Sequence, residues 1–314
     1  MVKKSKTLYQ CSGCGHKTFK WVGKCNQCKE WNTVEQRKVN LSHRNGIDSL
    51  TRGSAVEPLI ELNDVSTDRM EYIATGIKEF DRVMGGGFVA GSTTLLAGDP
   101  GIGKSTLLLQ AVAAIAKAGQ KVLYATGEEG LEQIHLRASR LGISGDRIFV
   151  VATGNVVEIA AHMVQAEPVV VIVDSIQTAT HPDLDSSSGT ISQIRECASF
   201  LSSHARANHI SLVVSGHVTK DGSIAGPRVL EHQVDTVLQI RGDTSGPLRM
   251  LQGVKNRFGP TDELGVFEMR AEGLYGISDP SQVFINQRLN EASGSAIAII
   301  VEGTRSLAVE IQAL

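Results

Sequence analysis

Between residues 93 and 116 the chain passes from a short apolar strand pattern (93–97) through Gly98-Asp99-Pro100-Gly101-Ile102-Gly103-Lys104-Ser105-Thr106 into a helical pattern whose apolar run begins at Leu107. Few spacings constrain a fold as tightly. A glycine-rich turn of this length, entered from a buried strand and left by a helix, points several backbone N–H groups and the positive end of that helix at one spot. Glycines are needed because side chains would block close approach of an anion to the backbone. A nucleoside triphosphate satisfies this donor set. In that geometry residues 98–106 cradle the phosphates, Lys104 reaches the β- and γ-phosphates, and the Ser105 hydroxyl ligates Mg²⁺.

The segments beyond the turn alternate regularly. Residues 121–125, 148–151 and 169–173 read as strands, and 131–141, 156–165 and 191–207 as helices. Upstream, 75–84 reads as a short helix closed by Gly85-Gly86-Gly87. Such alternation predicts an α/β fold, a mostly parallel sheet covered on both faces, with ligands at the carboxyl ends of its strands. Two acidic positions fall at such ends. Asp174 follows the wholly apolar run 169–173 and is the expected magnesium partner of the phosphate loop, beside which its strand is expected to lie. Glu128 and Glu129 follow the strand at 121–125; Glu128 is the preferred general base, the alternative being that both merely charge the start of the next helix. Cys197, inside a helical pattern, reads as a buried small apolar residue.

Four of the five cysteines form two C-x-x-C pairs, Cys11/Cys14 and Cys25/Cys28. Each pair presents two thiolates to one tetrahedral ion, so residues 1–35 read as a zinc ribbon. A redox dithiol or paired disulfides are the alternatives. His16 reads as a surface residue, and Trp21 and Trp31 as a small core. So short a segment buries too little to fold unaided, and metal binding supplies its folding energy. This head is basic: residues 1–40 hold nine Lys or Arg against two Asp or Glu, leaving −9 on the rest of a chain whose net charge is −2. Such a head suits a polyanion or is simply a solvated surface. Residues 36–58 lack periodicity and read as a linker. The longest apolar runs are far too short to span a bilayer, and residues 7–11 do not supply a secretion signal's apolar segment. A cytoplasmic protein without membrane contact is expected.

Two polar stretches, 178–189 and 217–228, read as long loops after strands on the ligand-binding edge. The second carries Lys220 and Arg228; if the protein moves on DNA, these loops are the candidates to touch it. After a strand at 249–254 comes Lys255-Asn256-Arg257-Phe258-Gly259. It is either a solvated turn or a pair of cations, Lys255 and Arg257, that reach the nucleotide of an adjacent subunit.

Together the two cysteine knuckles (Cys11-Ser12-Gly13-Cys14-Gly15 and Trp21-Val22-Gly23-Lys24-Cys25-Asn26-Gln27-Cys28), the phosphate loop, Gly216-His217-Val218-Thr219-Lys220 and above all Lys255-Asn256-Arg257-Phe258-Gly259 resemble the RadA (Sms) family of bacterial RecA relatives over nearly the whole chain. The resemblance implies a RecA-like ATPase core (59–275) that binds ATP, forms a homo-hexameric ring around single-stranded DNA, and drives branch migration of recombination intermediates in DNA repair. Branched DNA and a recombinase such as RecA are the implied partners. It further implies that residues 255–259 act between subunits and that Glu128 is the catalytic glutamate. Gly130 stands where the family usually has Ser. Residues 276–314 are expected to be only the opening hairpin of a Lon-protease-like domain, so that part of the ring-forming surface is missing. A nucleotide-gated scaffold whose zinc module recruits a protein, and a signalling ATPase like the KaiC proteins, are the competing readings; the head and residues 255–259 count against the second.

Overall fold

The computed structural model describes residues 8–12, 17–18, 22–25, 28–37, 61–64, 71–217, 227–242, 246–281 and 295–312. The chain divides into two compact units, Met1–Val65 and Ser66–Leu314.

The first unit is a small antiparallel sheet of β1 (Leu8–Cys11), β2 (Lys17–Thr18) and β3 (Val34–Arg37) in the order β2-β1-β3. Its described interior is Cys11, Cys25 and Val34, with Val22 and Cys28 against them. Trp31 does not join that core as the sequence suggested. It is 69% exposed, with the Lys24 ammonium above its ring, because the cysteines and Val34 already fill the interior. Trp21, Cys14 and His16 lie outside the described residues.

The second unit begins with β4 (Tyr72–Ile73), α1 (Lys78–Met84) and β5 (Phe88–Val89). Helix α1 starts at Lys78 and not at residue 75, because the Asp81 carboxylate accepts from Thr75 N–H (2.9 Å), the Thr75 hydroxyl (2.7 Å) and Gly76 N–H (2.8 Å), holding those residues as a turn. There follow β6 (Thr93–Gly98), α2 (Lys104–Lys117), β7 (Val122–Thr126), α3 (Leu131–Arg140), β8 (Ile148–Ala152), α4 (Val156–Ala166), β9 (Val170–Asp174), α5 (Ile191–Ala207), β10 (Ser211–His217) and α6 (Pro227–Glu231). Strands β11 (Thr236–Arg241), β12 (Leu248–Asn256), β13 (Leu264–Arg270) and β14 (Gly273–Gly276) complete a nine-stranded sheet, and β15 (Ser295–Glu302) with β16 (Arg305–Gln312) makes a separate hairpin.

The sheet order is β14-β13-β12-β11-β6-β10-β9-β7-β8. From β11 to β8 all neighbours are parallel, and β12 to β14 extend the sheet as antiparallel strands. Alternate residues feed opposite layers, as the pleat requires. Leu96, Tyr124, Ile172 and Val213 pack with α1, α2 and α3, while Leu95, Ala125, Val173 and Val214 pack with α4 and α5. Buried on both faces, these strands are apolar without polar alternation. Each fully buried aliphatic side chain contributes roughly 1.5–3 kcal/mol. Cys197 is fully buried within α5, and burial pushes its thiol up to about 11. Among the described residues no helix is long and apolar enough to cross a membrane.

The hairpin is tied to α1 through its turn. Arg305, 8% exposed, donates to both oxygens of the buried Glu79 (2.6 and 3.3 Å) and to the carbonyls of Ile277 (3.0 Å) and Ser278 (2.5 Å).

Candidate functional site

Strand β6 is buried along its length and ends at Gly98, where the phosphate-loop turn begins. A Cβ on Gly98 would lie 2.6 Å from Ile240 Cγ2 and 2.8 Å from its carbonyl oxygen, so β11 sits too close for any side chain there. Gly103 has φ 113°, a conformation open chiefly to glycine, and serves as the N-cap of α2 without a side-chain cap. The first N–H groups of α2 therefore face the turn with no capping oxygen, as an anion site requires. The turn is braced from outside its own segment, since buried Arg249 of β12 donates from Nε to the Ile102 carbonyl at 3.0 Å.

Lys104 is 5% exposed and lies folded into the turn. Its ammonium donates to the carbonyls of Gly98 and Asp99 (2.9 Å each) and to Nδ1 of His217 (3.1 Å). Burial pushes the Lys104 ammonium below the usual lysine range, against the pull of Asp174, Glu128 and Asp99.

The acidic side chains stand on neighbouring strands. The strand carrying Asp174 is not beside β6 as the sequence suggested; β10 is interposed, and polar side chains of β10 thereby enter the site. Asp174, 7% exposed, accepts from the Tyr124 hydroxyl of β7 at 2.6 Å on one oxygen and from the Ser215 hydroxyl of β10 on the other. Burial first, then the Asp174 charge, raises the Tyr124 hydroxyl well above its ordinary range, so Tyr124 stays a donor. With two hydroxyls holding it, the carboxylate keeps further lone pairs for a hydrated cation, and the residues fit Mg²⁺.

Glu128 and Glu129 separate cleanly. Glu128 accepts from the Ser175 hydroxyl and lies 3.4 Å from His217 Nε2, and its charge, like that of Asp174, acts on the Lys104 ammonium. Glu129 instead pairs with Arg137 of α3. Neither caps α3, because the Gln133 side chain turns back onto Gly130 N–H at 2.9 Å and closes that end.

Lys255 and Arg257 lie elsewhere. Strand β11 runs beside β6 from Thr236↔Thr94 to Ile240↔Gly98, and β12 returns so that Asn256 faces Thr236. Residues 255–259 thus occupy the rim where β6 begins, level with Thr94, which is four residues and about 13 Å along the strand from Gly98. The Lys255 ammonium donates to the carbonyls of Glu231 (2.6 Å) and Val234 (2.7 Å); burial first, then Arg257, lowers its pKa. Arg257 has a 58% exposed side chain that pairs with Asp235 at 3.1 Å. The turn itself is firm: Asn256 accepts from Phe258 N–H (2.9 Å) and donates to the Met84 carbonyl (3.2 Å) at the end of α1.

Of the expected DNA contacts, Lys220 lies outside the described residues. Arg228 belongs to helix α6 and not to a loop, because the helix opens at Pro227, a residue preorganised for a first helical turn; its side chain is not described. In the head, the sulfurs of Cys11, Cys25 and Cys28 all lie within 4.8 Å of one another, and Cys11 to Cys28 is 3.6 Å. Metal–sulfur bonds of about 2.3 Å in a tetrahedron place sulfurs roughly 3.8 Å apart, so three corners of such a site are present. Cys14 lies outside the described residues.

The structure therefore brings Lys104, Glu128 and Asp174 together at the phosphate loop and sets Lys255 and Arg257 apart. Sequence reasoning gave no role in the site to Tyr124, Ser175, Ser215, His217 or Arg249, although His217 stands in one of the motifs that carry the family resemblance. A signal existed for two of them: Tyr124 and Ser215 are polar groups inside otherwise apolar strands, and a buried hydroxyl needs a partner.

Comparison with known proteins agrees with this architecture. An AAA domain family model matches residues 56–223, and a rubredoxin metal binding domain model matches residues 9–36. The DNA repair protein RadA of Listeria monocytogenes is 45% identical over 312 residues, covering 99% of this chain and 68% of that protein. RadA of Mycobacterium tuberculosis is 45% identical over 99% of this chain and 65% of its own length, and RadA of Bacillus subtilis 43% identical over 99% and 68%. The chain thus spans about two thirds of the length of these relatives. A KaiC-like protein of Pyrococcus horikoshii shares the fold, with a TM-score of 0.56 at 20% identity over 66% of this chain and 99% of that one. With identity of this extent over nearly its full length, the chain belongs to the RadA family of DNA repair ATPases.

Proposed function

We propose that the chain is a DNA-dependent ATPase that translocates on single-stranded DNA and promotes branch migration of recombination intermediates during repair. The observation that carries this reading is the division of the site between two rims of one sheet. Lys104, Glu128 and Asp174 converge at one rim, and Arg257 stands exposed at the other, too far to reach the chain's own phosphate loop. Two complementary half-sites on opposite faces make a head-to-tail contact, and such contacts give a ring where the rotation between subunits closes. A homo-hexamer around DNA is the assembly this supports, with each nucleotide completed by Lys255 and Arg257 of the neighbouring subunit.

Within that assembly residues 98–106 bind the triphosphate, and Lys104 leaves its carbonyl partners to neutralise the β- and γ-phosphates. Glu128 orients and deprotonates the attacking water. Arg257 stabilises charge that develops on the γ-phosphate. Ser105 and Asp174 would hold Mg²⁺, which would supply charge neutralisation at the phosphate oxygens. Cys11, Cys14, Cys25 and Cys28 hold Zn²⁺ in the head. Lys220 and Arg228 contact DNA, a recombinase such as RecA is a partner, and the cytoplasm is the compartment. Residues 1–35, 36–58, 59–275 and 276–314 serve as ribbon, linker, motor and the opening of a Lon-protease-like domain.

The test is ATP turnover with and without single-stranded DNA. Lys104→Ala is expected to abolish DNA-stimulated hydrolysis. Mixing Lys104→Ala with Arg257→Ala chains is expected to restore part of it, since some interfaces then pair an intact loop with an intact arginine. Equal turnover in wild type and Lys104→Ala overturns the motor; no recovery under conditions where rings form overturns the action of Arg257 in trans.

A further inference from the structure

Strand β10, inserted between β6 and β9, ends at His217, whose side chain bridges two groups of the site. Its Nδ1 lies 3.1 Å from the Lys104 ammonium and its Nε2 lies 3.4 Å from Glu128 Oε1. An ammonium only donates, so Nδ1 accepts and carries no proton; the proton of a neutral imidazole is then on Nε2, directed at the carboxylate. One tautomer satisfies both neighbours. The three N–H donors of the Lys104 ammonium are all taken, by His217 and the two turn carbonyls, so it can grip a triphosphate only by giving up partners among these. Glu128 keeps its contact, since nothing in phosphate binding calls the carboxylate away from Ser175 or His217.

We propose that His217 is a positioning residue for ATP hydrolysis: it retains Lys104 on Nδ1 until nucleotide arrives, and throughout aims the Glu128 carboxylate from Nε2. The proposal rests on the reading of Lys104 as phosphate ligand and Glu128 as base. It separates binding from turnover. Removing the imidazole frees Lys104 from a competitor of the phosphates, which does not weaken nucleotide binding, and removes one of the two donors that orient Glu128, which slows the chemical step.

The experiment uses the full chain, with saturating single-stranded DNA, and compares wild type, His217→Ala, His217→Gln and Glu128→Gln. Steady-state turnover is measured beside titration with a fluorescent ATP analogue. His217→Ala is expected to lower kcat roughly tenfold, the scale of one lost hydrogen bond to a charged group, while the nucleotide Kd stays the same or falls. His217→Gln is expected to recover most of that loss, because its amide offers an acceptor and a donor. Wild-type turnover in His217→Ala beside an inactive Glu128→Gln overturns the role of His217 and leaves Glu128 standing as the base; wild-type turnover in Glu128→Gln overturns the reading of Glu128 as the base, on which the proposal rests. A slow His217→Ala whose nucleotide Kd rises in step, unrelieved by glutamine, marks a residue that merely supports the fold and also overturns the proposal.

Discussion

The contact between Arg305 and Glu79 is the buried ion pair that ties the β15–β16 hairpin to α1, beside the hydrogen bonds of Thr304 to Glu263. Both side chains are buried, at 8% and 3% exposure, and the guanidinium spans the carboxylate and two main-chain carbonyls. Replacing Arg305 by alanine leaves Glu79 with the Val266 N–H at 3.1 Å and a more distant Arg82 at 4.0 Å. Stranding one partner of a buried ion pair costs about 3–5 kcal/mol, well above the worth of an exposed pair. In a unit of this size each kcal/mol lowers the unfolding midpoint by about 2–4 °C, so Arg305→Ala should lower Tm by roughly 6–20 °C. Most of that cost lies in the stranded charge and not in the lost contact. The double variant Glu79→Gln/Arg305→Ala should therefore recover at least half of the loss, and urea and thermal unfolding of the four chains in the cycle measure it. Additive losses, with the double variant less stable than Arg305→Ala alone, would refute the reasoning.

Two further outcomes follow from other sites. Tyr124→Phe keeps the ring but removes a donor to a buried carboxylate, and should cost about 1.5–3 kcal/mol in urea unfolding along with a reduced kcat; unchanged values on both counts would mean that the Tyr124 contact holds nothing in place. Chelation should unfold the head alone, because a structural ion supplies the folding energy of so small a module while the second unit has its own core. About one zinc per chain, lost on Cys25→Ser with ATP binding retained, is the expected assay; a purified chain holding well under one ion removes the ribbon.

Most of the second unit's architecture was legible from local pattern. The phosphate turn, the alternation of strand and helix, and the apolar run ending in Asp174 each depend on residues close in sequence, and their backbone consequences are local. Boundaries slipped where a side chain acted across a turn, as Asp81 does on Thr75. The cysteine spacing announced a metal site, but the misplaced Trp31 shows that composition does not say which large residue a small module can bury once thiols occupy its centre.

By itself the sequence determined that a buried strand, a glycine turn and a helix would form an anion site, and that an α/β sheet would carry it, because spacing and periodicity act over a few residues. Strand order was decided only in three dimensions. It set β10 between β6 and β9 and so delivered Ser215 and His217 to Asp174, Lys104 and Glu128, and it carried Arg257 to the rim away from its own phosphate loop. Packing of the separate hairpin against α1 likewise joined Arg305 to Glu79 across 226 positions of chain. Such contacts follow from which strands become neighbours, a choice made by the packing of the whole core and written in no single stretch of residues.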